Sequence, residues 1–116
     1  MTSKYCKVIV EYESPFPEPL KIRKGEQVQL TEKKSEWSGW IWCINKIGKK
    51  GWVPRSYLRI QDNQATLLQD YDATELTAKI GEEFVIEEEE SSWFLVTGKD
   101  DRKGWIPIKN VEVFIK

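Results

Sequence analysis

Short runs of apolar residues, many of them alternating with polar residues, are spread over the whole chain. Gln27-Val28-Gln29-Leu30-Thr31 alternates with a period of two, and Trp40-Ile41-Trp42-Cys43-Ile44 and Trp93-Phe94-Leu95-Val96 are rich in β-branched and aromatic residues. No stretch keeps the apolar period of a helix over three turns. The pattern therefore predicts an all-β chain of short antiparallel strands, which is typical of small barrels or sandwiches.

One tetrapeptide pattern occurs twice, as Gly51-Trp52-Val53-Pro54 and Gly104-Trp105-Ile106-Pro107. Each copy has a further tryptophan 14 residues before its proline, at Trp40 and Trp93. Residues that recur in a fixed register indicate that one structural unit is repeated. The sequence therefore predicts two copies of one small domain.

The spacings within the repeat predict where the two domains begin and end. We expect one domain in residues 1–60 and the other in residues 61–116. The second copy is three residues shorter at two places, which predicts surface loops at about 13–19 and 31–38 of the first copy. The join between the copies has no run of glycine or proline and is too short for a flexible tether.

Composition narrows the possible functions. With two cysteines and no histidine, the chain lacks the ligands of a structural zinc site, and we expect no metal or other cofactor. Cys43 lies in an apolar run and is interpreted as a small buried hydrophobe. No apolar segment is long enough to span a membrane, and the first residues do not resemble a signal peptide, so a reducing cytoplasm is the expected location. No catalytic motif is present, so we do not expect an enzyme.

The charges are distributed unevenly between the copies. Residues 1–60 carry 12 Lys and Arg against 6 Asp and Glu, a net charge of +6. Residues 61–116 carry 6 against 13, a net charge of −7. Opposite charges could bring the two domains together within one chain, or head to tail between chains. The acidic second copy would repel a nucleic-acid backbone, so we do not expect nucleic acid as a partner.

Several residues together resemble the Src-homology-3 (SH3) family. In the first copy the resemblance rests on Tyr12, Leu20-Lys21-Ile22-Arg23-Lys24-Gly25-Glu26, Trp40 and Gly51-Trp52-Val53-Pro54-Arg55-Ser56-Tyr57-Leu58. In the second it rests on Asp70-Tyr71-Asp72-Ala73, Gly81-Glu82, Trp93 and Gly104-Trp105-Ile106-Pro107. The resemblance implies two small five-stranded SH3-like barrels in tandem. It also implies an aromatic groove that binds proline-rich peptides in the polyproline conformation.

The resemblance also implies which residues form the peptide-binding groove. In the first copy the matching positions are Tyr12, Trp40, Trp52, Pro54 and Tyr57, and in the second they are Tyr71, Trp93, Trp105 and Pro107. An acid in the first long loop would pair with a basic residue of the ligand. Glu18 is the preferred candidate for this role, and Glu13 and Glu36 are the alternatives. Trp37 and Trp42 have no role in the family pattern and are interpreted as core or rim residues.

Departures from the family pattern predict that the two grooves are unequal. Val10 and Gln69 stand where the family has its first groove tyrosine, and Asn110 replaces the tyrosine that follows the proline. We therefore predict a non-catalytic module that binds proline-rich or extended peptides mainly through the first domain, with the second domain a degenerate or composite partner. Two alternatives remain, namely binding of single-stranded nucleic acid through the basic first domain and binding of cell-wall peptides.

Overall fold

The computed structural model of the chain describes residues 4–15, 18–31, 38–99 and 101–115. Within these residues the chain forms β-strands and two short 3-10 helices, Arg55–Tyr57 and Ile108–Asn110. The strands are β1 (Lys4–Val8), β2 (Lys21–Ile22), β3 (Gln27–Thr31), β4 (Trp40–Ile44), β5 (Lys50–Pro54), β6 (Leu58–Gln61), β7 (Gln64–Leu67), β8 (Tyr71–Asp72), β9 (Glu83–Glu90), β10 (Trp93–Thr97), β11 (Lys103–Pro107) and β12 (Val111–Ile115). The predicted all-β fold with two small barrels is confirmed.

The chain divides into two compact units, and one of them is inserted in the sequence of the other. Glu18–Ala73 forms a contiguous unit, here called the inserted barrel. Met1–Pro17 and Thr74–Lys116 form the second unit, here called the host barrel. These units do not coincide with the predicted division into 1–60 and 61–116, because each repeat contributes its first strand to the barrel formed mainly by the other.

The inserted barrel contains a five-stranded sheet in the order β5-β4-β3-β7-β6. Its strand β7, which begins the second sequence repeat, pairs with β3 and β6 of the first. Ala65 and Leu67 alternate with more exposed residues on β7, so they enter this core at 2% and 1% exposure. A short ladder between β2 and β8 belongs to the same unit.

The host barrel contains the equivalent sheet in the order β11-β10-β9-β1-β12. Here the first strand of the chain, β1, pairs with β12 and β9 of the second repeat. Cys6 and Val8 alternate with exposed lysine on β1 and are fully buried in the cluster that also contains Phe84 and Ile106. The segment that follows β1 also belongs to this unit, since Tyr12 forms a bridge with Ala78.

A two-residue connection explains the exchange of first strands. The register pairs Gln61 with Gln64, so only Asp62 and Asn63 join β6 to β7. Asp62 has a φ of +58°, which is the left-handed conformation that tight hairpin turns require. A loop of this length can only place consecutive strands side by side and antiparallel. The strand β7 is therefore held against β6, and β1 occupies the corresponding place beside β12.

Several sequence-based expectations about individual residues can be compared with the structure. Cys43 is fully buried, as predicted, and Cys6 is buried as well. Burial raises the pKa of the Cys6 thiol to about 11 and that of Cys43 to about 12, which disfavours the reactive thiolate. Val10, which stands where the family has its first groove tyrosine, is 51% exposed. The predicted loop at 31–38 lies mostly outside the described residues. In the described part of the chain, no helix is long and apolar enough to cross a membrane.

Candidate functional site

The aromatic site of the inserted barrel lies on the outer face of the β4–β5 hairpin. Trp40 lies opposite Pro54, and Trp42 lies opposite Trp52. The intervening residues of both strands point to the core, where Cys43 and Val53 are fully buried, so the other set faces away from the core. Trp40, Trp42 and Trp52 are half-buried, whereas Pro54 is buried. The hairpin therefore presents three tryptophans in a row.

Two tyrosines from different sequence repeats meet in the inserted barrel. Tyr57 lies in the 3-10 helix after β5, and Tyr71 lies in β8. Their ring centroids are 5.3 Å apart at an interplanar angle of 83°, which is an edge-to-face contact. The Tyr71 hydroxyl also donates a 2.8 Å hydrogen bond to the Trp52 carbonyl oxygen. Tyr71 is thus fixed beside the residues of the first repeat that form the tryptophan row.

The host barrel has a corresponding aromatic site, which also combines the two repeats. Trp93 on β10 lies opposite Pro107 on β11. Tyr12 approaches Trp93 edge to face, with ring centroids 5.7 Å apart at an interplanar angle of 85°. The Tyr12 hydroxyl donates a short hydrogen bond to Oε1 of Glu75. Trp93 is only 7% exposed and Pro107 is buried, so this site is less open than the tryptophan row of the inserted barrel.

Asn110 has a different role from the tyrosine that it replaces. Its side chain is buried at 5% exposure, and its amide Nδ2 donates 3.2 Å hydrogen bonds to the carbonyl oxygens of Val10 and Glu11. Its own carbonyl oxygen accepts hydrogen bonds from the backbone N–H groups of Ile9 and Val10. Asn110 therefore fixes the segment that leads from β1 to Tyr12 and holds the two parts of the host barrel together.

Glu75 is the titratable group that belongs to the host site through its contact with Tyr12. Burial raises the pKa of the Glu75 carboxyl, and the hydrogen bond from Tyr12 partly opposes this effect. The folded state therefore binds more protons than the unfolded chain between the ordinary pKa and the raised one, so stability decreases as the pH rises through that interval.

A Glu75→Gln variant should reveal this titration, because glutamine keeps an acceptor for Tyr12 but carries no charge. We expect the free energy of unfolding of the variant, relative to the wild type, to be higher at pH about 7 than at pH about 3. Urea denaturation at the two pH values measures this difference. Glu13→Gln, at an exposed position of the same unit, is the matched control for removing one negative charge. A difference that decreases with rising pH would contradict the assignment.

The residues predicted for one groove are divided between the two barrels. Trp40, Trp52, Pro54 and Tyr57, which the resemblance assigned to one groove, all lie in the inserted barrel, but Tyr12 belongs to the host barrel. Among the other predicted groove residues, Tyr71 lies in the inserted barrel. The host barrel contains Tyr12, Trp93, Trp105 and Pro107. The first strand of each repeat is exchanged together with the tyrosine that follows it, so Tyr12 and Tyr71 change places.

Other residues differ from expectation or stay predictions. Trp105 is only 2% exposed, and Trp42, which was interpreted as a core or rim residue, is part of the tryptophan row. Glu18 is exposed at the beginning of the inserted barrel, and its role as a ligand-pairing acid stays a prediction. Trp37 and Glu36 lie outside the described residues. The alternation of side chains along β4 indicates the position of Trp42, because residues two apart on a strand lie on the same face, here that of Trp40.

The exchange also redistributes the charges. The inserted barrel, residues 18–73, has 10 Lys and Arg against 7 Asp and Glu, a net charge of +3. The host barrel has 8 against 12, a net charge of −4. The net charges of the two barrels have the same signs as those of the two repeats. The difference between them is smaller, because Lys4 and Lys7 on β1 belong to the acidic host barrel and Asp72 on β8 belongs to the basic inserted barrel.

Comparisons with known proteins find similarity for the first repeat. Residues 5–61 match the model of the variant SH3 domain. Myosin-1 of Aspergillus clavatus is 38% identical to this chain over 57 residues, which are 48% of the chain and 4% of that protein. Myosin-1 of Coccidioides immitis is 37% identical over 54 residues, which are 46% of the chain and 4% of that protein. No solved structure matches the chain significantly.

These matches show that residues 5–61 are similar to a variant SH3 domain. The chain spans only 4% of the length of either curated relative, so the similarity concerns one small domain of a much longer protein. In this structure the matched segment is divided, because β1 lies in the host barrel and residues from Glu18 onward lie in the inserted barrel.

Proposed function

We propose that this chain is a non-catalytic module that binds proline-rich or extended peptides of other proteins, and that the inserted barrel provides the main binding site. The observation that carries the proposal is the tryptophan row, which begins beside Pro54 and is half-buried. Flat aromatic rings that are partly exposed can stack on prolines, and a polyproline peptide loses little conformational entropy on binding.

The host barrel is proposed as a secondary or composite site. Its Trp93 is more deeply buried than the equivalent Trp40, and Asn110 uses its amide to bind backbone within the barrel. A ligand would therefore find less aromatic surface at this site. The unequal grooves predicted from the sequence are thus retained in the proposal, but their members are reassigned between the two units.

Substitution of Trp40 tests the proposed binding site. We expect Trp40→Ala to weaken the binding of a proline-rich peptide, chosen from a peptide array, by about 30-fold, which corresponds to the loss of a tryptophan hot spot of about 2 kcal/mol. Trp93→Ala removes the equivalent residue of the host barrel and should change the affinity less than about threefold. Isothermal titration calorimetry measures both affinities, and circular dichroism shows whether the variants are folded.

Two results would contradict the proposal. Equal losses of peptide affinity in the two variants would contradict the assignment of the main binding site to the inserted barrel. Binding that is unchanged in Trp40→Ala, with the protein folded, would show that the tryptophan row does not bind the peptide.

A further inference from the structure

The tryptophan row includes Trp42, a residue to which the family pattern assigns no ligand binding. Trp42 and Trp52 form an edge-to-face pair with ring centroids 4.8 Å apart at an interplanar angle of 69°. The next pair of residues on the same face is Ile44 and Lys50. Both members of the Trp42–Trp52 pair are half-buried, so the aromatic surface extends along the hairpin from Trp40 toward the β4–β5 turn.

The hairpin beneath this row carries charge of a single sign. Residues 40–54, which form this hairpin, contain three basic residues, Lys46, Lys49 and Lys50, and no acidic residue. Lys46, in the β4–β5 turn, and Lys50, at the start of β5, are both exposed. The far end of the tryptophan row therefore has a local positive charge, even though the host barrel carries a net charge of −4.

We infer that the inserted barrel binds a peptide longer than a proline core, in which an apolar residue covers Trp42 and Trp52 and acidic residues follow near Lys46 and Lys50. This inference rests on the proposed function and specifies its ligand. The span from the Trp40 pair to the Lys50 pair is four residues along a strand, or about 13 Å. An extended peptide covers this span with about four residues.

The charge distribution favours an acidic peptide over a nucleic acid. A short acidic extension carries its charge on a few residues, which the lysines of the hairpin are sufficient to pair. A nucleic-acid backbone carries charge along its whole length and would also be repelled by the acidic host barrel. The row of tryptophans alone would suit both ligands, and binding of an oligonucleotide is therefore one outcome of the test.

Four synthetic peptides test the inference. Each contains the core Pro-Pro-Leu-Pro-Pro-Leu-Pro. The extension is Leu-Leu-Glu-Glu or the uncharged Leu-Leu-Gln-Gln at the carboxyl end, or Glu-Glu-Leu-Leu or Gln-Gln-Leu-Leu at the amino end, so that the leucines always adjoin the core. Both ends are used because the tryptophan row does not fix the direction of the peptide. In one of the two placements, we expect the Glu extension to bind about fivefold more tightly than the Gln extension, as for two exposed ion pairs. High salt should remove the difference.

Charge reversal locates the effect. In Lys46→Glu/Lys50→Glu, the Glu extension should bind more weakly than the Gln extension. The matched control is Lys99→Glu/Lys103→Glu, which changes the net charge equally on the corresponding hairpin of the host barrel and should keep the fivefold preference. Trp42→Ala should weaken the binding of the extended peptides more than that of the unextended core, which is measured beside them. If Trp42→Ala does not fold, the two charge variants still decide the outcome.

Each contrary result has a distinct meaning. If the core binds through Trp40 but the Glu and Gln extensions bind equally at both ends, this inference is overturned and the proposed function stands. If no peptide binds, the proposed function fails, and the inference fails with it. If a ten-residue oligothymidylate binds more tightly than the Glu peptide and loses affinity in the Lys46→Glu/Lys50→Glu variant, the basic hairpin is a nucleic-acid site, and the peptide assignment is overturned.

Discussion

Replacing Leu67 with alanine is expected to destabilise the inserted barrel by about 3 kcal/mol, as for a buried leucine whose removal leaves a cavity. Leu67 is 1% exposed and pairs with Leu58 on β6. By sequence it belongs to the second repeat, but in the structure it completes the core of the first. The loss should therefore appear in residues 18–73 and not in the host barrel.

Segment-resolved hydrogen exchange measures where the loss occurs. Peptides that cover β3 to β5 should lose protection in Leu67→Ala, whereas peptides that cover β9 to β11 should keep theirs. The matched control is Val8→Ala, since Val8 is fully buried at the equivalent place in the host barrel and pairs with Val111. This control should show the opposite pattern. Loss of protection in β9 to β11 on substitution of Leu67 would contradict the exchange of first strands.

Adding one methyl group at Gly104 is expected to destabilise the host barrel by about 3 kcal/mol, at the upper end of the usual cost of overpacking. A Cβ atom at this position would lie 2.8 Å from the Thr74 carbonyl oxygen and 3.0 Å from Leu76 Cγ. The Thr74 oxygen has little freedom to move, because it accepts a 2.9 Å hydrogen bond from the backbone N–H of Trp105. Gly104→Ala should therefore detach the segment by which the chain re-enters the host barrel.

Gly51 provides the matched substitution in the inserted barrel. A Cβ atom there would lie 2.9 Å from Leu20 Cβ, so Gly51→Ala should destabilise residues 18–73 instead. Thermal unfolding measures the size of each effect, and hydrogen exchange shows its location. Wild-type stability in Gly104→Ala would mean that Thr74 and Leu76 do not pack against β11 as described.

The sequence pattern predicted the strands and their buried faces well, because both depend on local alternation. Cys43 and Val53 point to the core as the period of two requires, and Trp40 lies opposite Pro54 on the other face. The repeated spacing between these residues made the two copies visible. Strands and their buried faces can be predicted because each depends only on residues within one hairpin.

The partners of the first strands could not be predicted from the same pattern. The strands β1 and β7 carry similar alternation, so either could complete either sheet, and a hydrophobic pattern specifies a buried face but not a neighbour. The pairing of β7 is indicated by the connection between the two repeats, where only the two residues Asp62-Asn63 separate β6 from β7. This arrangement is a hairpin signal, and it indicates that β7 folds back onto β6.

The residues of each aromatic site depend on which strands β1 and β7 pair with. Tyr71 accompanies β7 into the inserted barrel and contacts Tyr57 there, and Tyr12 stays with β1 and contacts Trp93. Val10 lies in the segment that follows β1 and is exposed, although it continues the apolar run of Val8 and Ile9. Residues near the end of a strand are poorly predicted by periodicity, because the chain leaves the sheet there.

Interstrand nuclear Overhauser effects test the exchange of first strands most directly, since they report pairing in the unmodified protein. The structure predicts effects between backbone protons of β1 and β12, including Lys7 with Glu112, and between those of β6 and β7, including Arg59 with Thr66. Effects between β1 and β6, such as Lys7 with Arg59, together with effects between β7 and β12, would show that each repeat closes on itself. That result would contradict the inserted and host barrels.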